Sequence, residues 1–338
     1  MSDREQIDMV DVGPLAAELL QVRQRTTAPD DPAAARLSAR GNRKRNAVQL
    51  PLNEIEGFAQ AVAAVLERYK EDALQKYDWK IDEDVLTYAE RELGITVFGH
   101  SLLDKTTHLR RHISTDAHRN WKQRDRLVLL ADFVVRRWGG LDGNAEKTIE
   151  QYVSRFCEIE CHPKDVDGYA KLFASAKQQR TLWQFNNIAS WSKWLNFVWP
   201  KWALIYDARI AFGLNAIHFL RGLETPVFPQ PPGRNSLLGN LDAQALAALR
   251  RGAIRQQTPP NDAKKAAKWF QQQQFRAPHA YPVYLEVMSR AHELLWADSE
   301  TKPPLVHTEM LLFHVSANQL ALEFASVVMK ALANGPRP

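Results

Sequence analysis

A lysine and an aspartate lie within the most aromatic stretch of the chain, IASWSKWLNFVWPKWALIYDARIAFGLN, residues 188–215. The lysine is Lys193, and the aspartate is Asp207, fourteen residues later. Four tryptophans fall within twelve residues of this stretch: Trp191, Trp194, Trp199 and Trp202. An amine whose pKa is lowered in apolar surroundings can act as a nucleophile, and an ionised carboxylate can stabilise positive charge on a reacting group. This pair is therefore the strongest candidate in the sequence for chemistry.

The local pattern predicts two helices joined by a tight corner. The first helix should end near Val198, because Pro200 lacks a backbone donor and disfavours helical geometry at Trp199. PKWALIY then connects to a second helix, with Asp207 at its N-cap, where free N–H groups and the helix dipole stabilise the ionised carboxylate. A purely structural alternative follows from the same pattern. Asp207 would only cap the helix, and Lys193 would extend its amine to the surface.

The rest of the chain is predicted to be all-α and multi-helix. Helical spacing of apolar residues occurs at 54–77, 82–93, 121–138, 146–157, 165–178, 181–198, 206–221, 242–254, 262–275, 281–297 and 305–332. Plausible N-caps are Asp82, Asp165, Asp242 and Asp262. No alternating run is long enough to build a sheet, and no internal repeat is present.

Composition divides the chain into three regions. Residues 1–50 are predicted to be a mobile N-terminal arm, because 24–50 is polar, contains proline and ends in a basic cluster. Residues 51–120 form an N-terminal helical region, and 121–335 form the domain that carries the site. The loop at 222–240, rich in glycine, proline and asparagine, divides two helical lobes.

Charge is distributed unevenly along the chain, although the net charge is only +5. Residues 54–92 hold eleven acidic against five basic side chains, whereas 105–137 hold nine basic against three acidic and 242–276 hold seven against two. The two basic segments, together with Arg209, are predicted to line one surface that binds nucleic acid through its phosphates, with 54–92 away from it. The alternative is that these are ordinary solvated helix faces.

Several functions lack their usual signatures in this sequence. No GxxxxGK[ST], GxGxxG, HExxH or GxSxG motif occurs, which argues against nucleotide hydrolysis, dinucleotide redox chemistry and zincin proteolysis. Cys157, Cys161 and His162 are one ligand short of a structural zinc site, so no metal is expected. Two cysteines, no long apolar run and an acidic N-terminus predict a cytoplasmic protein without a membrane span.

The site stretch resembles the helix-hairpin-helix DNA glycosylases, in particular bacterial proteins with the 8-oxoguanine DNA glycosylase fold. SWSKWLNF and ALIYDARI carry the resemblance, with RWGGLDGN before the site and PVYLEVMSRAHELL and HTEMLLF after it. In that family a lysine opens the second helix of the hairpin and an aspartate caps a helix shortly afterwards. Lys193 and Asp207 match these two residues. The resemblance implies a two-lobed helical architecture that acts on a base flipped out of double-stranded DNA.

The family pattern also implies roles for individual residues. Asp207 would stabilise the oxocarbenium-like sugar, and Lys193 would displace the base and form a Schiff base with the sugar. This sequence departs from the family where Ala189 and Trp191 stand in place of phosphate-binding hairpin glycines. The hydroxyls of Ser190 and Ser192 are predicted to replace those glycines. Stacking surfaces for the flipped base are expected from Trp191 and Trp194, and DNA contacts from Arg209.

These expectations combine into a DNA glycosylase that leaves an abasic site, with or without a later lyase step. Divergence of the hairpin motivates a further hypothesis, that the substrate is a modified base in invading phage DNA. The protein is expected to be a monomer that needs no cofactor. Two alternatives stay open: a non-catalytic nucleic-acid-binding module, and an interaction protein of a defence or toxin operon that keeps only the fold.

Overall fold

A computed structural model describes residues 52–76, 81–141, 149–150, 153–154, 156–157, 187–231 and 241–334. Within these residues the regular structure is helical, and the only β-type pairing is an isolated bridge between Val227 and Gln274. The all-α prediction is confirmed for this part of the chain. The predicted arm at 1–50, the helix at 165–178 and the N-cap Asp165 lie outside the described residues.

The structure describes twelve α-helices in this part of the chain. They are α1 Leu52–Glu67, α2 Lys70–Gln75, α3 Glu83–Tyr88, α4 Leu102–Arg119, α5 Arg124–Asp132, α6 Ile188–Val198, α7 Ala208–Arg221, α8 Ala243–Ile254, α9 Ala263–Gln272, α10 Ala277–Leu295, α11 Leu305–Ala317 and α12 Gln319–Asn334. Short π-helical turns, Ala89–Leu93 and Phe133–Trp138, extend α3 and α5. None of these helices alone is long and apolar enough to cross a membrane, and only α11 and α12 together, bent by 43°, reach that length and apolarity.

Helix starts follow the predicted capping chemistry at several positions. Asp242 accepts the N–H of Ala245 at 3.1 Å, and Asp262 accepts the N–H of Lys265 at 2.9 Å. Asp82 precedes α3 but makes no capping hydrogen bond with its side chain. Two predicted N-caps are thus confirmed at α8 and α9, in addition to the one at the site.

Helix α4 is absent from the sequence prediction. Its buried face contains Leu109, Ile113 and Ala117 at helical spacing, but polar residues, most of them charged or histidine, fill the positions between them. A capping box begins the helix, in which Ser101 and Asp104 each accept a hydrogen bond from the other's backbone N–H. The capping box was the available sequence signal for this helix.

Helix α7 is the centre of the fold, because every residue from Ile210 to Leu220 is buried. It packs against α8, α11, α12 and α1. Gly213 permits the close approach of α11, since a Cβ at this position would lie 1.9 Å from Ser316 Oγ. The buried apolar side chains of the described residues form one cluster from Ile55 to Phe324, which includes both sides of the boundary predicted at residues 120 and 121.

Candidate active site

Lys193 points into the protein from the second turn of α6. Its side chain is 5% exposed, and its Nζ donates a hydrogen bond to the backbone oxygen of Ala189 at 3.2 Å. The aliphatic part passes Gly139, where a Cβ would lie 2.9 Å from Lys193 Cδ. Gly139 belongs to the RWGGLDGN segment, so this segment packs directly on the lysine. The alternative in which Lys193 extends its amine to the surface does not describe this structure.

Asp207 caps α7 and faces the lysine at the same time. Helix α6 ends at Val198, as Pro200 predicts, and α7 begins at Ala208. Asp207 Oδ1 accepts the N–H groups of Arg209 and Ile210, both at 3.0 Å. The other oxygen, Oδ2, lies 3.9 Å from Lys193 Nζ, and the Asp207 side chain is 17% exposed. One carboxylate oxygen is thus fixed by the helix, and the other is directed at the amine.

The connector between α6 and α7 is held by polar side chains that bond to its main chain at 203–206. Four of them do so: Ser192 and Asn196 from α6, and Tyr281 and Tyr284 from α10. Ser192 Oγ accepts the N–H of Tyr206 at 3.0 Å, and each of the other three donates to a carbonyl oxygen at 2.8 Å. These bonds fix the separation between Lys193 and Asp207 through the backbone that joins them.

Two buried charged residues stand beside the pair, and the sequence analysis assigned neither to the site. Glu309 and Arg110 are each 2% exposed, and their closest charged atoms are 3.6 Å apart. Asn196 Nδ2 also approaches Glu309 Oε2 at 3.4 Å. The sequence signal for Glu309 was a single carboxylate within the apolar run HTEMLLF. Lys193 had been selected for the same reason, as a single amine within an apolar stretch. Arg110 was predicted to face DNA, and its burial corrects that prediction.

The ionisation of these groups is governed by burial. Burial lowers the pKa of Lys193, although the nearby carboxylates of Asp207 and Glu309 oppose this effect. Burial also raises the pKa of Glu309 from 4.5 to about 7; Arg110 opposes that shift and Asp207 adds to it. Compared with the same groups in water, the amine of Lys193 and the carboxyl of Glu309 are therefore both shifted toward their neutral forms.

The remaining residues predicted to contact substrate are divided between core and surface. Trp191 is 2% exposed and packs edge-on against Tyr281 at 4.8 Å, and Trp194 is fully buried. Ser192 is fully buried and bonded to the connector. The structure therefore places these three side chains in the core, whereas the sequence predicted contacts with DNA. Ser190 and Arg209 are partly exposed.

The basic segments contribute less to the surface than their charge suggested. Arg250 donates to the carbonyl oxygen of Phe219 at 2.5 Å, and Arg251 donates to that of Glu224 at 2.7 Å. Both arginines are 9% exposed, so they support the backbone instead of facing solvent. The exposed basic residues of the two segments are Arg111, Arg119, Lys122, Arg124, Arg137, Arg255, Lys264, Lys265, Lys268 and Arg276.

No family model, curated protein or solved structure matches this chain. In the part of the chain that the structure describes, no group of three histidine, cysteine or acidic residues could hold a metal ion. Cys157 is described, but Cys161 and His162 lie outside this part. The chemistry of the site therefore has to be argued from its own residues.

Proposed function

We propose that this protein is a DNA glycosylase that excises a damaged or modified base from double-stranded DNA and leaves an abasic site. The observation that carries the proposal is the buried amine of Lys193, 3.9 Å from a carboxylate oxygen of Asp207. An amine in this position is kept from solvent and has a lowered pKa, as a nucleophile requires. The partly exposed Asp207 supplies fixed negative charge at the edge of the same site.

Asp207 is suited to stabilise a sugar cation. Cleavage of the bond between base and sugar develops positive charge on the deoxyribose, which an ionised carboxylate stabilises. The N–H groups of Arg209 and Ile210 donate to Oδ1 and hold the carboxylate in one orientation. The preorganised Oδ2 is then available to the sugar or to a water molecule.

Lys193 is suited to attack the sugar. In that step a bond forms between Nζ and C1′ of the deoxyribose, the bond from C1′ to the base breaks, and the base leaves with the bonding electrons. The attached nitrogen then loses one of its two protons, the bond from C1′ to the ring oxygen breaks, the ring oxygen takes up a proton, and the nitrogen and C1′ form a protonated Schiff base. Lys193 must first release its hydrogen bond to Ala189, which holds the amine inward in the free protein. Ser190 and Arg209 are partly exposed, as residues that contact DNA phosphates must be.

A second function is favoured by one specific observation. The Lys193 side chain is only 5% exposed, so a nucleotide reaches it only when neighbouring residues move. A non-catalytic nucleic-acid-binding or interaction protein with this fold would keep the same buried pair as a structural element. The proposal that the substrates are modified bases of phage DNA rests on the divergent hairpin alone and belongs to the catalytic alternative.

The experiment that separates these functions uses duplexes that each carry one modified base. Abasic sites are detected by cleavage in alkali, and the released base is identified by mass spectrometry. We expect borohydride to trap a covalent adduct with the wild type and not with Lys193→Ala. Lys201→Ala is the matched control, because Lys201 is an exposed lysine on the connector. Trapping that persists in Lys193→Ala would refute the role of this amine, and no abasic sites with any duplex would favour the binding function.

A further inference from the structure

The candidate site contains four largely buried charges, two of each sign, next to the partly exposed Arg209, which adds to the lowering of the Lys193 pKa by burial. Lys193 and Arg110 are the cations, and Asp207 and Glu309 are the anions. Three of these side chains are 5% exposed or less, and Asp207 is 17% exposed. Buried charges are tolerated when they are paired, because each unpaired charge loses its hydration without compensation. The four groups therefore constrain one another.

A neutral Lys193 disturbs this balance. When its ammonium group loses a proton, one buried positive charge disappears and the set acquires a net negative charge. The cost is avoided if one carboxylate takes up a proton at the same time. The two carboxylates differ in their suitability for this. Asp207 accepts two backbone N–H bonds at 3.0 Å and retains some contact with solvent.

Glu309 is the carboxylate that accepts a proton more readily. Its contact with Arg110 is 3.6 Å, longer than a hydrogen bond, and its contact with Asn196 is 3.4 Å. The backbone N–H of Ile205 also reaches it. A fully buried carboxylate with these long side-chain contacts is weakly stabilised as an anion.

The hydrogen bonding around Glu309 supports the same assignment. Asn196 Oδ1 is buried and accepts no hydrogen bond within the described part of the chain. Asn196 also directs its amide group at Glu309. Protonation of Glu309 would add an O–H donor to a cluster in which this Asn196 oxygen has no donor.

We propose that Glu309 holds the proton that Lys193 loses when it becomes a nucleophile. The N–H bond of the ammonium breaks, its electron pair stays on Nζ, and an O–H bond forms on the Glu309 carboxylate. The total charge of the pair stays at zero in both states. Glu309 acts through Lys193 and does not touch the substrate, so it is a positioning residue. The exchange of a proton between the two groups does not depend on the proposed function; only the use of the neutral amine as a nucleophile rests on it.

Other ionisable groups also face Glu309, and they determine where it titrates. They are Arg110 from α4, Lys193 from α6, Asp207 at the start of α7, and Tyr281 and Tyr284 from α10. Burial raises the pKa of both tyrosines well above 10.0, so they stay neutral through the neutral range. The opposite shifts in the pKa of Glu309 and Lys193 bring their titrations closer together, which is the condition for shared protons.

The test is a nuclear magnetic resonance titration of the wild-type chain without DNA, so it does not depend on any activity. Protein labelled with ¹³C at lysine Cε and glutamate Cδ is followed from pH 5 to pH 10. Lys193→Met and Glu309→Gln identify the two signals, and Glu309→Asp serves if the amide variant fails to fold. We expect the Glu309 signal to titrate near pH 7 and the Lys193 signal to show a first step at the same pH. A Lys193 signal with no step where Glu309 titrates would overturn the proposal.

Activity gives a second, separate measurement. If the wild type traps DNA with borohydride, the trapping rate should fall about tenfold per pH unit below about pH 7, where Glu309 already carries a proton. Glu309→Gln should lose this limb of the pH profile, and Glu309→Asp should retain a limb at a shifted pH. An unchanged profile in a folded Glu309→Gln protein would contradict the proposal. If the wild type neither releases a base nor forms a trapped adduct, the proposed function is wrong. The titration would still show whether Glu309 and Lys193 share a proton.

Discussion

Replacing Asp207 by asparagine separates its charge from its capping role. The side-chain oxygen of asparagine can keep the bonds from the N–H groups of Arg209 and Ile210, which are 3.0 Å from Oδ1 in the native protein. The amide nitrogen would replace Oδ2, which lies 3.9 Å from Lys193 Nζ. The variant therefore loses the negative charge at the amine and retains the acceptor at the helix start. Asparagine is itself a favourable N-cap residue.

The expected effects differ in size for stability and for catalysis. Loss of one preorganised electrostatic group costs about 2.7–4 kcal/mol of transition-state stabilisation, or roughly 10²–10³ in rate. Loss of an N-cap costs about 1 kcal/mol of folding free energy, which the asparagine largely avoids. We therefore expect Asp207→Asn to form abasic sites at least about a hundred times more slowly, with a small change in unfolding free energy.

Single-turnover base release and denaturant unfolding measure the two effects on the same preparations. Asp262→Ala is the matched control, because Asp262 caps α9 with one hydrogen bond of 2.9 Å to Lys265 N–H. That control should lose about 1 kcal/mol of stability and keep its activity. If a folded Asp207→Asn protein released base at the wild-type rate, the electrostatic role of Asp207 would be refuted.

The remaining predictions concern the surface charge and the response of stability to pH. Neutralising Arg111 and Arg119 together should weaken DNA binding and flatten the slope of log affinity against log salt by about 2. The control is Arg68→Gln, because Arg68 is an exposed arginine in the acidic segment 54–92; an unchanged slope in the double variant would exclude this surface. The pKa of Glu309 is raised from 4.5 to about 7 in the folded protein, so the contribution of this group to wild-type stability falls as pH rises between these values. Over the same range the unfolding free energy of Glu309→Gln should rise by on the order of 3 kcal/mol relative to that of the wild type. His218 behaves in the opposite way, because burial lowers its pKa from 6.5 to about 4 and its contribution to stability is lost as pH falls through that range. The unfolding free energy of His218→Asn should therefore rise relative to that of the wild type as pH falls from 6.5 to 4. Denaturant unfolding at several pH values measures both effects. If unfolding free energy depended on pH in the same way in the wild type and the two variants, the pKa shifts of Glu309 and His218 would be contradicted.

The corner between α6 and α7 was predictable because its signals are local. Pro200 ends one helix and Asp207 begins the next, and each acts on backbone groups within a few residues. The position of Lys193 was not predictable in the same way. Its burial depends on Gly139 from a distant segment and on the packing of α4, and neither contact has a signature near the lysine.

The partners of Glu309 show a second limit of sequence reasoning. Arg110 lies in a segment with nine basic residues, and composition alone treats all nine alike. In the structure its guanidinium lies over the rings of Trp138 and Phe197, at 5.8 and 5.5 Å, and 3.6 Å from Glu309. Only the packing of α4 against α6 and α11 distinguishes a buried arginine from its exposed neighbour Arg111.

The way in which the connector is held has a consequence for how this region can vary among related sequences. The side chains of Ser192, Asn196, Tyr281 and Tyr284 bond to main-chain atoms of residues 203–206, so they do not depend on which side chains the connector carries. Apolar replacements of similar size at connector residues 203–205 leave every one of those main-chain bonds in place. Insertion or deletion of a single residue moves the carbonyl groups out of reach and rotates Asp207 away from Lys193. The length of this corner should therefore be invariant, whereas the side chains at 203–205 can change; Tyr206 is constrained because its hydroxyl donates to the carbonyl oxygen of Pro229 at 2.8 Å.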